Sequence, residues 1–130
     1  MHHLLDMEAL TPACISDIFE RAQNFLSDCL ANNAVLNTLK GKLVVNLFFE
    51  PSTRTRNSFE FASNRLGALL LNPETDSSAT VKGESLLDTI HAFESMGTHL
   101  FVIRHPDNNT AQFVASELQT QASVINAGDG

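Results

Sequence analysis

Basic residues are scarce in this 130-residue chain, which has 8 Lys and Arg against 15 Asp and Glu and a formal net charge of -7. A field of this sign repels phosphate at long range, so general binding to nucleic acid or to an anionic membrane is not expected. Long apolar runs are missing too, and no stretch approaches the ~18 apolar residues of a membrane span. Any anion site must therefore concentrate the few cations locally.

Cysteine occurs only at Cys14 and Cys29, both in apolar sequence with helical spacing. Two such residues make neither a disulfide framework nor a cysteine-rich zinc site, and they fit a reducing cytoplasm. His91, His99 and His105 have no partners at the spacing of metal ligands, so no metal is predicted. The N-terminal residues lack the basic and then apolar pattern of a secretory signal, and we expect none.

Helical spacing and short apolar runs alternate along the chain, whose hydrophobic content of 43% is enough to fill a core. The predicted helices span Thr11 to Asn33, about Thr53 to Leu66, Glu84 to Met96, and Asp107 or Asn108 to Leu118. The predicted strands span 42–49, 68–71, 100–103 and 122–126. This alternation predicts an α/β fold, with a four-stranded parallel sheet flanked by helices on both faces. The length fits one domain, or one lobe of a larger protein.

Each predicted helix carries an apolar stripe that is expected to face the core. The first stripe contains Ile15, Ile18, Phe19, Ala22, Phe25 and Cys29. The second contains Thr55, Phe59, Ala62 and Leu66, the third Leu86, Ile90 and Phe93, and the fourth Ala111, Val114 and Leu118. Ligands of such sheets bind beyond the carboxyl ends of the strands, which are followed here by 50–56, 72–82, 104–106 and 126–130. The second of these segments is polar and aperiodic and predicts a long mobile loop.

The first of these segments runs from a buried strand directly into a helix. The free N–H groups and positive dipole of a helix N-terminus form an anion site. Five consecutive donors lie there: Ser52, Thr53, Arg54, Thr55 and Arg56. A capped helix with two solvated arginines is the alternative, but five donors in a row favour a functional site. No glycine-rich cradle is present, which excludes a P-loop and a dinucleotide fingerprint.

The sequence predicts the position of Arg104 more definitely than that of Arg56. Arg56 can instead point away and pair with Glu60 at i+4. Arg104 follows the third predicted strand at once and should therefore lie on the same edge of the sheet as Arg54. From spacing alone, Lys82 is a solvated lysine in the long loop.

The stretch Phe-Phe-Glu-Pro-Ser-Thr-Arg-Thr-Arg at 48–56 resembles the carbamoyl-phosphate motif of the aspartate/ornithine carbamoyltransferases. Three more stretches resemble the aspartate branch of that family rather than the ornithine branch: Val-Lys-Gly-Glu-Ser-Leu-Leu-Asp-Thr at 81–89, Arg-His-Pro at 104–106, and Asn-Ala-Gly-Asp-Gly at 126–130. The resemblance extends from the first helix to the last residue.

The resemblance implies that residues 1–130 are the carbamoyl-phosphate-binding domain of a two-lobed enzyme whose aspartate-binding domain is absent from this chain. It places Ser52, Thr53, Arg54 and Thr55 on the phosphate and its bridging oxygen, and Thr55 and Arg104 on the carbonyl oxygen. It sends Lys82 and Ser78 into the active site of a neighbouring subunit. It also implies that Glu50 holds a closed arrangement by pairing with arginines of the second domain.

The implied reaction is transfer of the carbamoyl group from carbamoyl phosphate to L-aspartate in pyrimidine biosynthesis, without a metal or organic cofactor. The resemblance also implies a cytoplasmic homotrimer with shared active sites, with or without regulatory subunits. In this family a His-Pro-Thr-Gln stretch follows shortly after the equivalent of 126–130, and its His and Gln contact the carbamoyl group. Because this chain stops before that stretch, residues 1–130 alone are expected to be inactive. Two alternatives remain: an ornithine carbamoyltransferase, and a non-catalytic homologue that serves assembly.

Overall fold

Helices and strands alternate along the whole chain, of which the structure, a computed structural model, describes residues 2–32, 35–75 and 86–130. The helices are α1 (Pro12–Asn32), α2 (Thr53–Arg65), α3 (Leu86–Ser95) and α4 (Thr110–Glu117). The strands are β1 (Leu43–Phe48), β2 (Leu69–Leu71), β3 (Leu100–His105) and β4 (Ser123–Asp129). The predicted order of elements is confirmed.

The four strands form one parallel sheet in the order β2-β1-β3-β4. From β1 the chain moves outward to β2, and it then returns to β3 on the other side of β1. The strand order therefore reverses between β1 and β3. In open α/β sheets the crevice beyond the carboxyl ends of two such strands is the usual place for a ligand.

Both faces of the sheet are covered, as predicted for a doubly wound fold. Successive residues of a strand point to opposite faces, so β1 contributes Val45 and Leu47 to one face and Val44 and Phe48 to the other. On the first face α3 and α4 supply Ile90, Ala111 and Val114; on the second, Phe59 of α2 packs against the core. A central strand that is apolar on both faces is typical of a parallel sheet.

The prediction that α1 buries its apolar stripe in the core is wrong for most of the stripe. Phe19 is 64% exposed and Ile18 is 36% exposed, and Ala22 is exposed as well. Only Ile15 and Phe25 are half-buried. The side chain of Cys29 lies outside the described residues. Helical spacing predicts which side of a helix is apolar, but not which element covers it.

The N-terminal segment lies beside β4. Leu4 forms a parallel bridge with Ile125, and its N–H donates to the Val124 carbonyl oxygen at 2.8 Å. The apolar side of α1 then faces a groove of about 330 Å³ that this segment helps to line. None of the helices in the described part of the chain has the length and apolar character that a bilayer crossing demands.

Two further details of the helices differ from the prediction. In α2 the buried residue is Ser63, whereas Ala62 is exposed. The fourth helix begins at Thr110 rather than at Asp107 or Asn108, since Asn109 has a left-handed φ of 62° that an α-helix cannot include. The start predicted for α3 at Glu84 lies outside the described residues.

Candidate active site

The junction between β1 and α2 has free hydrogen-bond donors. The N–H of Arg56 donates to the Ser52 carbonyl oxygen at 2.9 Å, which is the first hydrogen bond of α2. The preceding N–H groups, on Thr53, Arg54 and Thr55, have no acceptor within the helix. Ser52 occupies the N-cap position, but its side chain makes no capping hydrogen bond. Among the residues that the structure describes, none therefore occupies the hydroxyl or the first-turn N–H groups that an anion would use.

The arginine of this turn is also available. Arg54 is exposed, and its guanidinium makes no hydrogen bond or ion pair with any residue that the structure describes. Thr55 is half-buried at the next position. The positive end of the α2 dipole lies at the same place, so an anion bound there would meet both the dipole and the guanidinium.

Arg104 lies next to this junction, at the point where the strand order reverses. It is the penultimate residue of β3 and is the register partner of Phe48 in β1. Its Nε donates to Glu50 Oε2 at 3.1 Å, and its Nη1 donates to the Ala127 carbonyl oxygen at 3.2 Å. The Arg104 guanidinium therefore connects the ends of β1, β3 and β4. Arg104 thus lies at the edge of the sheet where α2 begins, as predicted.

Glu50 and Arg104 form a partly exposed ion pair, with side chains 34% and 32% exposed. A ligand in the crevice can therefore reach the guanidinium. The arginines that the resemblance assigned to Glu50 belong to another domain, so that pairing stays a prediction. Within this chain Glu50 holds Arg104 in place.

A bulge in β4 brings the backbone close to Arg104. Ile103 pairs with Asn126 and His105 pairs with Asp129, so β4 has one residue more than β3 over this interval. Gly128, with a φ of +129°, lies in the bulge, and a Cβ built there would be 2.7 Å from Arg104 Nη1. Only glycine lets the guanidinium lie at this distance. The sequence analysis missed this role, although a glycine inside a strand signals a bulge or a close approach.

The remaining polar residues of the same stretch hold the bulge. Asn126 Nδ2 donates to the Leu5 carbonyl oxygen at 3.0 Å and to Asp129 Oδ1 at 3.2 Å, and its Oδ1 accepts the Gly128 N–H at 2.9 Å. Asp129 Oδ2 accepts the Asn109 N–H at 2.8 Å. These contacts fix the bulged backbone of β4, against which the Arg104 guanidinium lies. Residue spacing did not predict them.

A cavity of about 470 Å³ adjoins the anion site on its other side. Ser52 and Thr53 line it together with the carboxylates of Glu50, Glu60 and Glu74. Arg54, Thr55 and Arg104 do not line it. Ser52 and Thr53 thus belong both to the start of α2 and to the lining of this cavity. Lys82 and Ser78 lie outside the described residues.

Arg56 points away from Arg104, but not to the partner that its spacing suggested. Its Nη2 donates to the Asn72 carbonyl oxygen at 3.2 Å, and Glu60 Oε2 accepts from Asn72 Nδ2 at 2.8 Å. Among the described residues, no ion pair within 4.0 Å joins Arg56 to Glu60. Both side chains bind Asn72 instead, a residue that the sequence analysis did not single out.

Comparison with known proteins agrees with this geometry. Residues 2–130 match the family described as aspartate/ornithine carbamoyltransferase, carbamoyl-P binding domain. The aspartate carbamoyltransferase catalytic subunit of Coxiella burnetii (strain CbuK_Q154) is 53% identical over 128 residues. Two structures of aspartate transcarbamoylase from Trypanosoma cruzi, both 34% identical, superpose with TM-scores of 0.88 (in complex with carbamoyl phosphate) and 0.89 (in complex with phosphate).

The matched region is a part of those proteins. It covers 98% of this chain but 41% of the Coxiella burnetii relative. It covers 38% and 39% of the two Trypanosoma cruzi chains. The similarity therefore concerns one domain of a longer protein.

Proposed function

Because this chain belongs to the aspartate/ornithine carbamoyltransferase family, as its carbamoyl-phosphate-binding domain, we propose that it supplies half of an enzyme that carbamoylates L-aspartate. The observation that carries this proposal is the meeting of two features at the strand-order reversal. The free N-terminus of α2 lies directly after β1, and Arg104, near the end of β3, lies beside it. A small dianion with a carbonyl group next to its phosphate fits both.

The chemistry follows from that placement. The aspartate amine attacks the carbonyl carbon of carbamoyl phosphate, the new C–N bond forms, and a tetrahedral intermediate with an oxyanion results. The bond to the bridging oxygen then breaks, and the leaving phosphate takes up the proton that the nitrogen loses. Ser52, Thr53, Arg54 and Thr55 are assigned to the phosphate and its bridging oxygen, and Thr55 and Arg104 to the carbonyl oxygen.

Catalysis in this scheme comes from positioning and from preorganised positive charge, with no covalent intermediate on the enzyme. Arg104 is held by Glu50 and by the Ala127 carbonyl oxygen, so its guanidinium needs little reorganisation as the oxyanion develops. The exposed Arg54 adds a planar fork that can bind a phosphate at two points. The product would be N-carbamoyl-L-aspartate, an intermediate of pyrimidine biosynthesis.

Aspartate is favoured over ornithine as the acceptor, on the Lys-Gly-Glu, Arg-His-Pro and Asn-Ala-Gly-Asp-Gly stretches and on relatives whose names specify aspartate. An intact set of phosphate-binding residues also argues against a homologue that serves assembly alone. The assay measures carbamoylation by the full-length protein, with either aspartate or ornithine as the acceptor. We expect carbamoyl-aspartate. Carbamoyl-ornithine as the main product, or no product from a protein that binds phosphate, would refute the proposal.

We also propose that the full-length enzyme is a homotrimer with shared active sites, with or without regulatory subunits. Lys82 and Ser78 would then act in the site of a neighbouring subunit. The support is the motif at 81–89, together with an anion site that has arginines of its own but no lysine among its described residues. A cytoplasmic location is supported by cysteine usage, since Cys14 is an exposed free thiol.

Shared active sites predict complementation between inactive variants. Lys82→Ala and Arg54→Ala chains of the full-length enzyme should each be inactive alone. When their trimers exchange subunits, some interfaces pair an intact Arg54 with an intact Lys82 from the next subunit. Carbamoyl-aspartate formation should then reappear.

The control is each variant exchanged with itself, which should stay at background. Native mass spectrometry confirms that mixed trimers have formed. Mixed trimers without activity would show that Lys82 serves its own chain or none.

A further inference from the structure

The second arginine of the motif at 52–56 is placed differently from the first. Arg54 is exposed and has no side-chain partner among the described residues. Arg56 is half-buried, and its Nη2 donates to the Asn72 carbonyl oxygen at 3.2 Å. The two guanidinium groups therefore have different surroundings, although they are two residues apart.

Asn72 is bound from two positions on α2 that lie one turn apart. Arg56 donates to its backbone carbonyl oxygen, and Glu60 Oε2 accepts from its Nδ2 at 2.8 Å. Residues at i and i+4 lie on the same side of a helix, so both side chains reach across to the residue that follows β2. Each charged group meets the complementary part of Asn72, the cation an acceptor and the anion a donor.

The segment 72–75 is held at its other end as well. Thr75 Oγ1 donates to the carbonyl oxygen of Phe48, the last residue of β1. Between these two attachments the segment forms one wall of the 470 Å³ cavity, to which it contributes Glu74 and Thr75. Ser52 and Thr53 line the same cavity, as does Arg56 itself, so a direct contact of Arg56 with phosphate has to be tested separately. The position of this wall relative to the phosphate-binding residues therefore depends on α2 at Asn72 and on β1 at Thr75.

We infer that Arg56 is a positioning residue which, with Glu60, clamps Asn72 and so sets the wall at 72–75 against the phosphate-binding turn. This inference rests on the proposed function, because the wall matters for catalysis only if that turn binds carbamoyl phosphate. The clamp, unlike a phosphate ligand, acts through Asn72. Removing either of its members should therefore have the same consequence.

The first test uses the full-length enzyme without any ligand. Arg56→Ala and Glu60→Ala should both shift the backbone amide resonances of Glu74 and Thr75, and the double variant should shift them no further. Glu60→Gln is the conservative variant, since its Oε1 still accepts from Asn72 Nδ2, and it should leave the resonances near their original positions. Arg21→Ala is the matched control, because it removes an arginine from α1 that is paired with Asp17 and is not a member of the clamp. Unmoved resonances in Arg56→Ala would overturn the clamp.

The second test separates positioning from a phosphate contact, with inorganic phosphate as the probe. Arg56→Ala should leave the phosphate Kd within about twofold of the parent, as for independent sites. In the full-length enzyme it should lower kcat about 10–100-fold, the usual cost of a misplacement near 1 Å. A phosphate Kd weakened as much as by Arg54→Ala would make Arg56 a ligand and overturn the inference.

The two proposals fail in different ways. If the parent enzyme forms no carbamoyl-aspartate but the resonances of Glu74 and Thr75 shift as expected, the proposed function is refuted and the clamp stands. If the parent is active and the resonances stay in place, the clamp is refuted and the function stands.

Discussion

Arg54→Ala in the full-length enzyme should lower kcat by about 10²–10³-fold, the usual effect of removing one donor from a developing charge. The side chain is exposed and free of partners among the described residues, so its donors are available to the leaving phosphate. Charged hydrogen bonds of this kind contribute about 1.5–3 kcal/mol each. The measurement is the initial rate of carbamoyl-aspartate formation at saturating carbamoyl phosphate.

The Arg54→Ala substitution should change the stability of the folded protein very little. Arg54 has no apolar role, and exposed substitutions of this type usually change the free energy of unfolding by about 0.5 kcal/mol or less. Arg21→Ala is the control, as it removes an exposed arginine from α1, away from the crevice. Near-normal turnover in Arg54→Ala would remove Arg54 from the site, whereas equal losses in both variants would point to a nonspecific effect of charge.

Gly128→Ala should produce a second large loss, of about 10²-fold in kcat, although the residue brings no reactive group. The added Cβ would lie 2.7 Å from Arg104 Nη1 and 3.2 Å from its Cζ. The guanidinium is the flexible end of a side chain, so it should give way before the backbone does. Arg104 would then lose its contacts with Glu50 Oε2 and the Ala127 carbonyl oxygen, and with them the orientation toward the substrate carbonyl oxygen that we propose for it.

Backbone strain complicates this experiment, because any side chain at a φ of +129° is strained. Such strain costs about 1–3 kcal/mol of stability. Gly97→Ala is the matched control: Gly97 also has a positive φ, of +84°, but its added Cβ would meet nothing within 4 Å. Thermal unfolding should show a loss of stability in both variants, while only Gly128→Ala should lose turnover. Equal turnover in the two variants would contradict the role given to Gly128.

Much of the local structure could be predicted from residue spacing. Apolar periodicity over a few residues located every helix and strand to within a few positions, because it reflects contacts of each residue with near neighbours in the chain. The free hydrogen-bond donors at the start of α2 could be predicted for the same reason. They need only a strand that passes directly into a helix, and the N–H groups of Thr53, Arg54 and Thr55 are left free by helix geometry itself.

The order of the strands and the packing of the helices depended on contacts between residues far apart in the chain. The order β2-β1-β3-β4 places the crevice between β1 and β3, and local periodicity says nothing about which strands are neighbours. The exposure of Phe19 has the same origin, since the amphipathic pattern of α1 does not specify what covers it.

The sequence by itself thus determined the alternation of elements, the free donors at the start of α2, and the placement of Arg104 at the same edge of the sheet. Only the tertiary structure decided how the site is built. It paired Arg104 with Glu50, brought Gly128 beneath the guanidinium through a bulge, and turned Arg56 to Asn72 rather than Glu60. The physical reason is that a side chain's partner is set by strand register and helix packing, which join residues that are distant in the chain.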